Sequence, residues 1–154
     1  MRRKDRETKD RVAIEKIIRD SIVCRVAMSK DSIPYVVPMC FGYENNTIYL
    51  HGAVKGKKID ILKSNPNVCV EFDIKSEVME SDKACDFDMK YESVIACGKA
   101  VFLEDLNEKR AAFNTITKQY STKTFNIPDI ALRHIAAIKI DITDITGKMS
   151  GYKQ

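Results

Sequence analysis

The sequence predicts a mainly-β, α+β fold: a small antiparallel barrel of six strands with short helices on its flanks. Six segments read as strands, by alternation of apolar and polar residues or as short apolar runs. Most are joined by short connections, which antiparallel neighbours accept. At 154 residues the chain is about one domain. Six strands in so short a chain hide their edges by closing on themselves or by pairing with a second copy.

Residues 10–21 open the domain as a helix, with Ile14, Ile17 and Ile18 on one face and Thr8 or Asp10 as cap. The first strand, over 22–29, alternates Cys24, Val26 and Met28 with Arg25 and Ala27, and Lys30, Asp31 and Ser32 make a turn. The second strand runs over 33–44. Pro34 and Pro38 cannot donate to a ladder, so they belong at an edge, a bulge or a strand end. Asn45 and Asn46 turn tightly into the third strand, 47–51. Gly52 and Gly56 follow, then a short helix with Ile59 and Leu62 apolar, stopped before Pro66. Residues 68–74 form the fourth strand, with Val68, Val70 and Phe72 on one face. Residues 76–90 carry five acids and two lysines without a clean period, and are expected as a loop or an irregular crossing.

The fifth strand covers 93–103, and Gly98 inside it marks a bend or a close backbone approach. Asp105 and Glu108 start a helix to about residue 119, with Leu106, Phe113 and Ile116 apolar. After Pro128 comes a helical turn near 130–134. The sixth strand, 136–147, has Ile138, Ile140 and Ile142 facing one way and Lys139 and Asp141 the other. Residues 1–9 are expected as a basic arm and 10–154 as a single domain.

Charge narrows the function. The net charge is +4, and residues 1–11 alone hold six bases against three acids. The body is therefore near neutral, which disfavours a nucleic-acid partner. The strands also lack the basic and aromatic interleaving of single-strand binders. No apolar run approaches the roughly 18 residues of a membrane span. No secretory signal is expected, and the cytoplasm is the expected location. The five cysteines form no CxxC pair and mostly sit in apolar runs, so they read as buried reduced thiols. With only His51 and His134 to join them, no metal site is expected, and Asp82, Asp86 and Asp88 read as solvated carboxylates.

The informative stretch is YLHGAVKGKKIDIL: a strand ending at His51, a glycine-containing loop, then Lys57 and Lys58 opening a helix. Helix starts present free N–H groups and a positive dipole end, so a phosphate-bearing ligand is a physical expectation there. The spacing is not that of a Walker loop. His51 lies on the strand face of Thr47 and Tyr49, a position for a structural hydrogen bond or a proton donor. The backbone of 37–41 is a second candidate, because Pro38 leaves ladder groups open to a planar ligand's heteroatoms.

Taken together, the segments PYVVP, YLHG, GKK and YESV, in that order, resemble the pyridoxamine 5′-phosphate oxidase-like, flavin-binding split-barrel proteins, nearest the nitroimidazole-resistance branch. The resemblance runs over about residues 8–148. It implies a six-stranded split barrel that forms a homodimer with two FMN at the subunit interface, FAD being an alternative. It also implies that Val37, Pro38, Met39 and Cys40 run along the flavin ring and that His51, Gly52 and Ala53 lie near the ring and ribityl chain. Lys57 and Lys58 would bind the phosphate, while Tyr91, Ser93 and Val94 would approach the interface. Cys40 stands where the branch often has a polar amide, and Gly52 where it often has serine. The implied activity is an FMN-dependent oxidoreductase, more a reductase than an oxidase, passing electrons to a small-molecule acceptor such as a 5-nitroimidazole, with His51 as proton donor. The alternative is a non-catalytic flavin- or haem-binding module; deazaflavin also occurs in the family.

Overall fold

A computed structural model describes residues 3–151; residues 1–2 of the expected basic arm and 152–154 of the expected domain lie outside the described residues. Eight strands form one antiparallel sheet in the order β3-β2-β6-β7-β8-β5-β4, with β1 added against β8. They are β1 (Glu7–Thr8), β2 (Cys24–Lys30), β3 (Ile33–Met39), β4 (Phe41–Glu44), β5 (Thr47–Ala53), β6 (Asn67–Met79), β7 (Asp88–Leu103) and β8 (Ile135–Ser150). Four helices accompany them: α1 (Arg11–Asp20), α2 (Lys57–Ser64), α3 (Leu106–Tyr120) and α4 (Asp129–Arg133).

The count exceeds six for two reasons. The predicted second strand breaks at Cys40 into β3 and β4, and the short β1 pairs Glu7 with Lys148 and Thr8 with Gly147. The break is the main feature of the fold. β3 and β4 are consecutive in sequence yet occupy opposite edges of the sheet. Only a strongly curled sheet lets one residue, Cys40, carry the chain from one edge to the other. The edges share no ladder, so the barrel is split rather than closed. Both prolines lie on the edge strand β3, as their missing N–H requires.

The inner wall follows the period of two. Val26 on β2, Val70 and Phe72 on β6, Val94 on β7 and Ile138 and Ile140 on β8 are all fully buried. Phe41 packs edge-on against Phe72 with centroids 4.9 Å apart. Ile14, Ile17 and Ile18 of α1 and Ile59, Ile61 and Leu62 of α2 join the same core. The caps agree with expectation: Asp10 accepts from the Val12 N–H, and Asp105 from the N–H groups of Asn107 and Glu108. Both hairpin turns have positive φ at both central residues, Asp31 with Ser32 and Asn45 with Asn46.

Three further expectations need correction. Residues 76–90 are not a loop throughout, because β6 continues to Met79 and β7 begins at Asp88, paired across Glu77–Lys90 and Val78–Met89. This arm is exposed on both faces, so it carries no alternation to read. The described part of the basic arm is folded against the sheet, with Arg6 paired to Asp88 at 2.7 Å. In α3 the buried set is Lys109, Ala112, Thr115 and Ile116, while Leu106 and Phe113 are half-buried. Lys109 tolerates burial because its ammonium donates to the carbonyls of Leu132 and Ile135. At Gly98 the β7–β8 register shifts, and a Cβ there would strike the carbonyl oxygen of Asp141.

Candidate functional site

Three residues from three elements meet at the split. Met39 ends β3, Gly52 lies near the end of β5 and Lys58 sits in the first turn of α2. The Lys58 ammonium is 3.4 Å from the Met39 sulfur, and a Cβ on Gly52 would come within 2.8 Å of it. Glycine thus leaves the room that the lysine head occupies. Lys58 is half-buried, and among the described residues no carboxylate pairs with it. Burial lowers its pKa. Beside it, burial pushes the Cys24 thiol up to about 12, and that thiol donates to the Met39 carbonyl. Cys24 is a neighbour of the site that its core-strand pattern concealed.

The start of α2 is left open. Its N-cap is Gly56 at φ 123°, which offers no side-chain acceptor to the first-turn N–H groups. An anion placed there meets backbone donors, the dipole and Lys58 together. Asp60 in the same turn opposes part of that field. Lys57 diverges from its neighbour. It is exposed, its ammonium lies 4.4 Å from the centre of the Tyr35 ring, and it lines a hollow of about 390 Å³ with Lys30, Asp31 and Asp60. The two lysines expected to act together therefore face different spaces.

His51 points away from Gly52, since adjacent strand residues face opposite sides. Its ring lies 5.1 Å from that of Phe113 on α3, tilted by 50°. Its Nδ1 is buried without a hydrogen-bond partner. Burial first, and then the charge of Lys58, lower its pKa, so the neutral ring is favoured.

The remaining expected residues are spread along two regions. Val37 is half-buried against the core, Pro38 pairs with Arg25, and Ala53 and Cys40 are exposed, Cys40 at the crossover. Tyr91 and Ser93 lie on β7 opposite the end of β8, where the Lys148 ammonium sits 5.1 Å from the centre of the Tyr91 ring. Val94 is fully buried in the core, on a strand paired to β6 on one side and β8 on the other. Tyr120 was not anticipated. Its hydroxyl accepts the Phe41 N–H at 2.9 Å and so pins the chain just after the crossover, and burial pushes its pKa up to about 12. The predicted helix ends one residue short of it. Of the five cysteines only Cys24 is buried as expected; Cys69 and Cys97 are half-buried, Cys40 and Cys85 are exposed, and all five are free.

The split barrel thus holds a half-buried ammonium with no carboxylate partner among the described residues, next to an uncapped helix start. The chain belongs to the family described as pyridoxamine 5′-phosphate oxidase, whose sequence model matches residues 10–149. Among solved structures it is similar to a candidate 5-nitroimidazole antibiotic resistance protein of Bacteroides thetaiotaomicron. That match has 38% identity over 92% of this chain and 85% of that one, with a TM-score of 0.84. The fold is also that of an FAD and heme binding protein of Mycobacterium smegmatis, at 16% identity, TM-score 0.86, covering 96% of this chain and 74% of that one. The flavocytochrome Anf3 of Azotobacter vinelandii shares it too, at 17% identity and TM-score 0.84, over 95% and 70% of the two chains. A curated relative, protein RA0666 of Rhizobium meliloti, is 35% identical over 49 residues, so the match spans about a third of each chain (32% of both). No helix among the described residues is long and apolar enough to cross a membrane.

Proposed function

We propose that the chain is a flavin-dependent oxidoreductase that binds FMN in the split and reduces small aromatic acceptors, nitro compounds such as 5-nitroimidazoles among them. The observation that carries this is Lys58: a half-buried ammonium without a carboxylate partner, at an uncapped helix start, in a chain of this family. Desolvating a cation is costly unless an anion answers it, and a flavin phosphate is such an anion. The backbone of 37–40 runs along the free sheet edge beside it, where a flat ring could lie.

A bound flavin supplies the two-electron step, receiving reducing equivalents from a donor and delivering them to the acceptor. The chain's own part is placement. Lys58 and the α2 start would hold the phosphate, and the edge backbone of 37–40 would lie along the ring. His51 is held as a neutral ring against Phe113, behind the edge where the ligand would lie, so its part is to fix that strand end. In a homodimer, Tyr91 and Ser93 of the second copy approach the same ligand.

The test is an absorbance spectrum of the purified protein with FMN, then dithionite, with FAD in parallel. Flavin bands that co-elute with the protein and bleach on reduction are expected, followed by oxidation when a 5-nitroimidazole is added. Lys57→Ala with Lys58→Ala should weaken FMN binding at least about tenfold, as loss of a charge-assisted phosphate contact implies, with unfolding unchanged. Unchanged affinity in that variant removes the phosphate from this place. Bound flavin without turnover selects a binding module instead, and a protein that ignores both flavins overturns the proposal.

A further inference from the structure

Cys69 on β6 stands directly opposite Cys97 on β7. Both side chains are half-buried on the outer face of the sheet, while Val68, Val70 and Ala96 between them point to the core. Opposed residues in an antiparallel pair have Cα atoms about 4.5 or 5.5 Å apart. Either spacing lies within the roughly 4.4–6.8 Å that a disulfide bridges without moving the backbone. Burial first, and then the neighbouring Cys97, push the Cys69 thiol up to about 11. Both line one open hollow of about 470 Å³ on that face, together with Asn67, Lys99 and Thr143, so a small oxidant reaches them from solvent.

We propose that Cys69 and Cys97 are an oxidation site, joined by a hydroperoxide into an intramolecular cross-strand disulfide and returned to thiols by a dithiol reductant. Two S–H bonds and the peroxide O–O bond break, one S–S bond forms, and the sulfurs lose two electrons. The peroxide takes both electrons and both protons; hydrogen peroxide leaves as two waters. Of the other cysteines, Cys24 is buried beneath Met39, while Cys40 and Cys85 lie on connections outside the ladders. The site owes nothing to the flavin proposal and stands whether or not flavin binds.

The full chain in its native state is treated with hydrogen peroxide, quenched, and digested with trypsin without reduction. The peptide of residues 64–75 should be recovered linked to that of residues 91–99, and dithiothreitol should separate them. Denatured thiol counts should fall from five to three in the wild type. Cys69→Ser and Cys97→Ser should each yield no linked pair from the same treatment. Absence of the 64–75 to 91–99 link in the wild type overturns the proposal, whatever other thiols react. So does a link that forms only between two chains.

Discussion

At His51, burial and the Lys58 ammonium act in the same direction, both against the imidazolium. The folded ring therefore binds a proton less readily than the unfolded one, whose value is 6.5. Its contribution to stability is complete above pH 6.5 and is lost as pH falls from there toward the lowered folded value. Urea midpoints of the wild type and His51→Gln, measured from pH 7.5 to 5.5, should show this. The wild type should lose more stability on acidification than the variant, which cannot titrate at that position. A difference between the two that stays constant over the range would show that His51 titrates as if unfolded. The identity and strand face of this histidine were legible in its alternation with Ile48 and Leu50. Its partner Phe113 was not, because the contact joins residues from two distant elements.

Among the elements, α3 decides most about the site. It lies on β4 so closely that a Cβ on Gly42 would come within 2.6 Å of the Ile116 nitrogen and 2.7 Å of the Thr115 oxygen. Those are backbone atoms of the helix and cannot rotate aside. The same seating brings Phe113 to His51 and the Tyr120 hydroxyl to the Phe41 N–H. Gly42→Ala should thus force α3 outward and cost about 1–3 kcal/mol, the usual range for overpacking. Chemical denaturation checks it, and a midpoint equal to that of the wild type would mean that the helix shifts freely. Helix α1 was fully legible, since its cap and its Ile14, Ile17 and Ile18 stripe are local signals. The buried face of α3 was misread because Lys109 looks polar in sequence and is satisfied only by carbonyls from residues 132 and 135.

For the whole molecule, the β6–β7 arm bears on assembly. Val78, Met79, Phe87 and Met89 stand exposed on it, at 57%, 39%, 53% and 43%. Exposed large apolar side chains along one arm are what a second copy would cover, and Tyr91 lies just beyond them on β7. The homodimer proposed above would use this arm. Sedimentation equilibrium should return twice the chain mass of 17.5 kDa. Phe87→Asp with Met89→Asp should shift the protein toward the single-chain mass and weaken FMN binding in step. A wild type that sediments as a single chain would remove both the dimer and the shared site.

The strands and helices that bury one face, their order, the hairpin turns and the glycine-led helix start with its two lysines were all legible along the chain. These are written in periods of 2 and 3.6 and in turn and cap residues that act on their immediate neighbours. That Cys40 carries the chain between the two edges of the sheet, that Lys58 turns into the split while Lys57 turns out, and that Met39, Gly52 and Lys58 share one place emerged only in the folded chain. Each of these depends on the curl of the whole sheet and on contacts between distant strands. A local pattern shows which face a residue takes, while the partner it meets there is set by how the faces close on one another.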